Sequence, residues 1–339
     1  MRIDHSVMGL ALVFILTGSL AFAESPVEKR KLGYRLSVND RYRATLHFTD
    51  KVTQTVNGNV MTRTLTADLQ LCCTIRQVAE DGVAECEVRC EAVTLHEQTP
   101  FESNRIAITL PEQPSQEATT QLVAETKIAT GHLTAQGQKL AKIAGHQVTF
   151  KLSPDGTAQL GKTVKEQQFT MDTPSSGKSD TMELLARILG SLNNPWESRF
   201  GEVVLGLVGT LPQTPVGLND TWQHHQVLPF APVKLDSVIH NQVIAFQDGY
   251  VIVKATAEIN QEFQKKLSVT VQKKNQLQSQ LAGTLKGMLR GEYRFDQTTG
   301  WLNQATLATQ LTGEVQSAKT AVPIAVELAL EWRTRGLDR

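Results

Sequence analysis

From Tyr42 onward, apolar and polar residues alternate along most of the chain. Tyr42, Ala44, Leu46 and Phe48 fall on one side of an extended segment. Leu65, Ala67, Leu69, Leu71, Cys73 and Ile75 do the same further on, with Thr66, Asp68, Gln70, Cys72, Thr74 and Arg76 between them. A period of two sends successive side chains to opposite faces, so these segments predict strands of a sheet with one dry face and one wet face. Tyr34, Leu36 and Val38 read as a shorter strand before them, with Asn39-Asp40 as the turn between. Asn57-Gly58 marks the next reversal, because both residues tolerate positive φ.

Asp81-Gly82 turns the chain into a partner strand on which Ala84, Cys86, Val88 and Cys90 alternate with Glu85, Glu87 and Arg89. Val148, Phe150 and Leu152, the turn Ser153-Pro154-Asp155-Gly156, and a return through Leu160 and Val164 predict another hairpin. A helix is expected over Thr181 to Leu192: Asp180 and Glu183 form a capping box, Met182, Leu185, Ile188, Leu189 and Leu192 mark one face, and Asn193-Asn194-Pro195 ends it.

The last third alternates over longer stretches. Leu281 to Phe295 reads as one strand of about 15 residues, against the usual five or six. Gly283, Gly287 and Gly291 on its inward face imply strong curvature or close approach of another element. Asp296 to Gly300 makes a turn. Trp301, Ala305, Leu307, Leu311 and Val315 return on the inward face, and Val322, Ile324, Val326, Leu328, Leu330 and Trp332 form a third strand, with Pro323 marking an edge or a strand start. Long bent strands of this kind predict a mainly β, β-rich α+β chain whose antiparallel meanders form a half-barrel-like or open-barrel sheet around a helix or a cavity. Val38-Asn39-Asp40-Arg41-Tyr42 is echoed by Leu218-Asn219-Asp220-Thr221-Trp222, each followed by an Asp-Gly turn, as two related β halves would be.

The first residues change the picture of where this sheet works. A short polar start is followed by an apolar stretch from Val7 to Leu16 and by Ala21-Phe22-Ala23, the layout of a secretory signal cleaved between Ala23 and Glu24. The organisation expected is then a signal peptide over 1–23, an N-terminal β half over 24–175, a connector with helix over 176–200 and a C-terminal β half over 201–339. After processing, the protein is expected in the periplasm or outside the cell, and not as an integral membrane protein. Lys plus Arg and Asp plus Glu balance at 34 each. That balance removes the electrostatic footprint of a nucleic-acid binder, so no nucleic-acid partner is expected.

Cys72, Cys73, Cys86 and Cys90 cluster in one hairpin, and an oxidising compartment favours a disulfide. A two-residue turn at Asp81-Gly82 places Cys73 opposite Cys90 and predicts a cross-strand Cys73–Cys90 bond. A four-residue turn also keeps the faces matched but puts Leu71 opposite Cys90, and the thiols then stay reduced as small buried hydrophobes.

Catalytic and metal signatures are missing from the sequence. There is no Gly-x-Ser-x-Gly elbow and no P-loop. The tandem His224-His225 points to opposite faces of a strand and reads as surface histidines. His132, His146 and His240 have no acidic or nucleophilic companion nearby in sequence. No catalytic residue, cofactor or metal ligand is assigned, and Trp222, Trp301 and Trp332 read as core fillers before they read as pocket lining.

Three stretches carry a resemblance. They are Leu32-Gly33-Tyr34 through Tyr42-Arg43, Pro212-Gln213-Thr214-Pro215-Val216-Gly217-Leu218-Asn219-Asp220-Thr221-Trp222, and Gly291-Glu292-Tyr293-Arg294-Phe295-Asp296 with Gly300-Trp301-Leu302. Together they resemble a family of uncharacterised exported bacterial proteins, often lipoproteins, that share a P-x-x-P-V-x-x-G-D-x-W stretch and a late F-D-x-x-x-G turn. The chain departs from it in having Asn219 where the family tends to have glycine, and in lacking a lipid-attachment cysteine. The resemblance implies export and a β architecture, and it brings no catalytic residues.

The leading functional expectation is a binding or carrier protein of the cell envelope that takes a lipid or other apolar small molecule inside the curved sheet. The alternatives are a structural or protein-interaction module with its cleft closed, and a hydrolase built from a serine, a histidine and an acid brought together by the fold.

Overall fold

The computed structural model describes residues 29–56, 58–100, 103–109, 125–129, 143–165, 195–208, 211–229, 234–271, 275–317 and 320–338. The signal segment, with Ala23 and Glu24, and the helix expected over 181–192 lie outside these residues. Strands dominate what is described. β1 (Arg41–Val56), β2 (Asn59–Val78) and β3 (Ala84–Gln98) form a meander, followed by β4 (Ser103–Thr109), β5 (Glu125–Ala129), β6 (His146–Leu152) and β7 (Ala158–Lys165). Helix α1 (Pro195–Val208) precedes β8 (Thr221–Pro229), β9 (Lys234–Gln247), β10 (Tyr250–Val271), β11 (Asn275–Asp296), β12 (Leu302–Ser317) and β13 (Thr320–Asp338).

All thirteen strands belong to one antiparallel sheet, in the order β5-β4-β3-β2-β1-β13-β12-β11-β10-β9-β8, with β6 also pairing to β3 and β7 beyond it. The order is linear, so the sheet is open and does not close into a barrel. The chain's first and last strands meet at its centre, where β1 pairs with β13 from Arg41↔Asp338 to Gln54↔Ile324. Pro323 sits one residue outside that ladder, at the start of β13, where its missing N–H breaks no bond to β1.

Side chains that alternate inward are almost all buried. On β13 they run from Val322 through Ile324, Val326, Leu328 and Leu330 to Trp332, and on β10 from Val251 to Ile259. These residues, with those of β1, β2, β3, β11 and β12 and the apolar face of α1, form one continuous core. Tyr293 on β11 shows how the sheet curves to make it. Its hydroxyl donates to Gln226 Oε1 on β8 at 3.2 Å although β9 and β10 lie between, whereas flat strands ~4.8 Å apart would hold β8 and β11 about 14 Å from each other.

The glycines on β11 mark where this bending is tightest. Gly283, Gly287 and Gly291 pair with Val315, Leu311 and Leu307 on β12. A Cβ on Gly287 would overlap the Gln310 carbonyl oxygen, and the Leu311 side chain lies over the bare backbone. The close approach expected from the glycine spacing is therefore that of β12 itself.

One end of the half-barrel is closed, and we call it the base. α1 presents Phe200, Val203, Val204, Leu207 and Val208 to the core, at helical spacing. It touches β6 and β7 near one side of the sheet and β8 at the other, so it bridges the gap between them. Gly201 packs against Leu160 and Val148, and Gly206 against Gln226, where larger side chains would hold the helix off. Residues 29–36 cross the base as an extended strap in place of the strand expected over Tyr34 to Val38. Arg30 and Val216 exchange backbone hydrogen bonds of 2.8 and 2.9 Å, Tyr34 N–H donates to the Pro154 carbonyl, and Arg35 N–H to that of Thr299. The Tyr34 hydroxyl donates to the Val208 carbonyl at the end of α1.

Candidate functional site

The concave face carries a long apolar surface. Its apolar strip on β13 runs over eleven residues from Val322 to Trp332, about 34 Å at ~3.4 Å per residue step. A bilayer's hydrocarbon core is ~30 Å for two leaflets, so the strip exceeds the length of one acyl chain about twofold. The interior is graded along this length. At the base it is aromatic: Trp301 stacks on Tyr42 with centroids 4.2 Å apart, meets Tyr34 edge-on at 6.2 Å, and lies beside buried Trp332 and Phe295. Away from the base it is aliphatic, with Ile259, Leu285, Val315 and Ile324. The tryptophans thus fill the core, as their positions implied, and Trp222 packs partly buried against it.

Two polar groups interrupt the apolar face. The first lies toward the end away from the base, where Arg63 pairs with Asp50 at 2.8 Å with side-chain exposures of 15% and 3%, and Glu97 and Gln54 are also buried. The second lies near the base, on β8, β9 and β11. His224, Gln226, Ser237, Asn241 and Tyr293 all face inward, and Asn241 is 1% exposed. The Asn241 amide nitrogen donates to His224 Nδ1 at 2.8 Å, which leaves the ring proton on Nε2. Burial holds His224 neutral, with its pKa pushed down to about 4, an effect that a hydrogen bond with Gln226 opposes and the neighbouring His225 reinforces. Asn241 Oδ1 is buried without a hydrogen-bond partner.

His224 was expected at the surface. Period two does separate it from exposed His225, but His224 takes the inner side of β8, because β8 lies against α1 and β9 with Trp222, His224 and Gln226 inward. His146 is also buried, and His240 is exposed. Sequence reasoning missed this polar group. The available signal was that His224, Gln226, Asn241 and Ser237 fall at every second position on two strands that pair Trp222↔Asn241, His224↔Ile239 and Gln226↔Ser237.

The convex face has a shallow groove of about 370 Å³ whose floor is Ala308 and Ala329, with His47, Thr49, Arg290 and Glu331 around it. Here a hydroxyl, a histidine and an acid do come together: Thr49 Oγ1 is 3.5 Å from His47 Nε2, and His47 Nδ1 is 2.7 Å from Asp68 Oδ1. His47 and Asp68 are 42% and 50% exposed, and the backbone N–H groups around them are committed to the ladders β2-β1-β13-β12, so none is left for an oxyanion.

Cys73, Cys86 and Cys90 sit in the core, and Cys72 lies on the other face of β2 beside Thr74. Cys73 lies opposite Val88, Cys86 opposite Ile75 and Cys90 opposite Leu71, so the Cys73–Cys90 disulfide expected from a two-residue turn is not formed and all four thiols are free and buried. Three residues, Glu80 to Gly82, make the turn, with Gly82 at φ 82°, and a bulge at Arg76 shifts the register by one more residue before the cysteines are reached. Burial pushes the Cys73 and Cys90 thiols well above their ordinary pKa. Among the described residues, no three His, Cys, Asp or Glu side chains are grouped to hold a metal, and no helix is long and apolar enough to cross a membrane.

No curated protein matches the chain. Among solved structures it is similar to lipovitellin, from a structure titled for its lipid-protein interactions, at 12% identity and TM-score 0.44, over 90% of this chain and 26% of that one. The chain thus spans about a quarter of lipovitellin's length. It is also similar to the COG4313 outer membrane channel from Pseudomonas putida F1 at 7% identity and TM-score 0.20, over 89% and 97% of the two chains. OpdQ of Pseudomonas aeruginosa gives 9% identity and TM-score 0.20, over 87% and 97%. At such scores the likeness carries no argument about activity. Residues 114–302 match the model of the Family of unknown function (DUF6263). That match takes in more than half of the chain, and the chain belongs to this family.

Proposed function

We propose that the protein is exported to the cell envelope and there binds or carries a lipid or other apolar molecule inside its curved sheet. The observation that supports this reading is the inner face, apolar from Val251 to Ile259 on β10 and from Val322 to Trp332 on β13, with the one described helix confined to the base. Burial of apolar surface drives association without directional demands, so such a face accepts chains of varied length. The Ala21-Phe22-Ala23 ending supports export. Titration of the purified protein with the fluorescent apolar probe 1-N-phenylnaphthylamine tests the reading. Saturable enhancement that oleate displaces is the expected result, and no enhancement above buffer contradicts it.

A structural or interaction module is the second reading, and one observation favours it: Leu65, Leu285 and Val315 are 0%, 1% and 3% exposed, as in a filled interior. The same titration separates the two, because a filled interior takes up no probe.

A further inference from the structure

We infer that the open edge of β10 pairs with the same edge of a second copy of this chain, antiparallel and centred on Gln264, so that two sheets join into one. β9 pairs with β10 only from Tyr250↔Gln247 to Thr256↔His240, while β10 continues to Val271. Among the described residues, no strand pairs with residues 257–271 on the side away from β11. An edge of that length carries a row of N–H and C=O groups that an added strand satisfies. A second observation lies at its far end. The ladder between β11 and β12 stops at Leu281↔Ser317, so among the described residues 266–271 and 275–280 pair only with each other. Two strands alone are marginally stable in water, and a third supplies what they lack.

The edge complements itself in one register. Ala257 and Ile259 are buried, and Glu258, Asn260, Glu262 and Gln264 are exposed. A shared sheet sets inner face beside inner face, so each residue meets one of the same parity and the centre falls on a residue. With Gln264 opposite itself, Glu262 falls opposite Lys266 on the wet side, Ile259 opposite Val269 and Ala257 opposite Val271 on the dry side. The Glu262–Lys266 pairing occurs twice by symmetry. Centring on Phe263 sets Glu262 against Gln264, and centring on Lys265 sets it against Ser268 and lysine against lysine. Lysines on an edge discourage indiscriminate pairing, and the glutamate four residues earlier favours this one register. The same register lays residues 266–271 of each copy beside residues 257–262 of the other, so each two-stranded ribbon gains its third strand where the partner's β10 and β11 are backed by β12.

Sedimentation equilibrium of the purified protein tests the pairing, which does not depend on what the concave face binds. A dimer that dissociates on dilution is expected. Glu262→Lys and Lys266→Glu should each weaken it about tenfold, because each sets like charges opposite one another twice, and the double variant should return to within about threefold of the wild type. Gln264→Cys should form an interchain disulfide under mild oxidation, since directly opposed residues have Cα atoms ~4.5–5.5 Å apart. Asn260→Cys, which the register holds about 26 Å from its own copy, should not. Cross-linking through Gln264→Cys decides the matter if a charge-reversed variant does not fold. A monomer at every concentration overturns the inference, as does a dimer that neither charge reversal weakens or that Gln264→Cys does not cross-link.

Discussion

The hydroxyl of Tyr293 reaches Gln226 across two intervening strands, and this contact ties the curvature of the sheet to its two polar residues. Tyr293→Phe should cost about 1–2 kcal/mol, since it leaves a buried amide oxygen without its donor. A double-mutant cycle with Gln226→Leu should give a coupling of at least ~0.5 kcal/mol in urea unfolding. Additive effects would mean that β8 and β11 do not meet across the concavity.

Asn39 and Asn219 occupy equivalent turns in the two parts of the chain. Their φ values are 71° and 67°, and their N–H groups donate to Ile75 and Val243 at 2.9 Å each. The next residues, Asp40 and Asp220, each accept from the N–H three residues back at 3.0 Å. Asn39→Val and Asn219→Val should each destabilise by about 1–2 kcal/mol because a β-branched side chain clashes in the left-handed region, while Asn→Gly at either site should be nearly neutral. Equal tolerance of valine and glycine in thermal unfolding would contradict the shared geometry.

Acid should weaken the fold through His224. Its folded pKa of about 4 lies below the ordinary value of 6.5, so the unfolded chain takes up the proton first. The stability contributed is complete above pH ~6.5, falls as the pH drops toward about 4, and then levels off, for a total of about 3 kcal/mol. Unfolding free energies measured from pH 7 to pH 4 should therefore fall more steeply in the wild type than in His224→Gln. The groups facing His224 are Asn241, Gln226 and the edge of Tyr293, none of which titrates in this range, and His225 lies on the opposite side. Parallel curves for the two proteins would show that His224 is solvated.

Gly287→Ala places a methyl group against the Gln310 carbonyl and the Leu311 side chain. Forcing β12 to shift should cost about 1–3 kcal/mol, whereas Lys286→Ala on the wet face should stay within ~0.5 kcal/mol. An unchanged urea midpoint in Gly287→Ala would mean that the two strands do not approach as closely as described.

The alternation of residues such as Leu65 to Ile75 and Val322 to Trp332 made the sheet legible, because burial on one face leaves a period of two in the sequence. The glycine spacing on β11 and the Asn39 and Asn219 turns were legible for the same reason: each is a local demand on one residue type. What was not legible depends on counts of one residue or on distant neighbours. The Cys73–Cys90 register failed because a three-residue turn and the bulge at Arg76 together shift the ladder by two residues, without changing which face each cysteine takes. Pro195 was read as a helix end and is the first residue of α1, a position where its missing N–H costs nothing. The run Phe200, Val203, Val204, Leu207 and Val208 was the signal passed over. His224 looked like a surface residue because only the curvature that brings Tyr293 to β8 encloses it.

Native mass spectrometry of the protein purified from its own cell envelope, followed by extraction and analysis of what it carries, tests the central claim most directly. The account predicts a population heavier than the polypeptide by one lipid-sized mass, recovered in the extract as an apolar molecule. The bare polypeptide mass with an empty extract would contradict it.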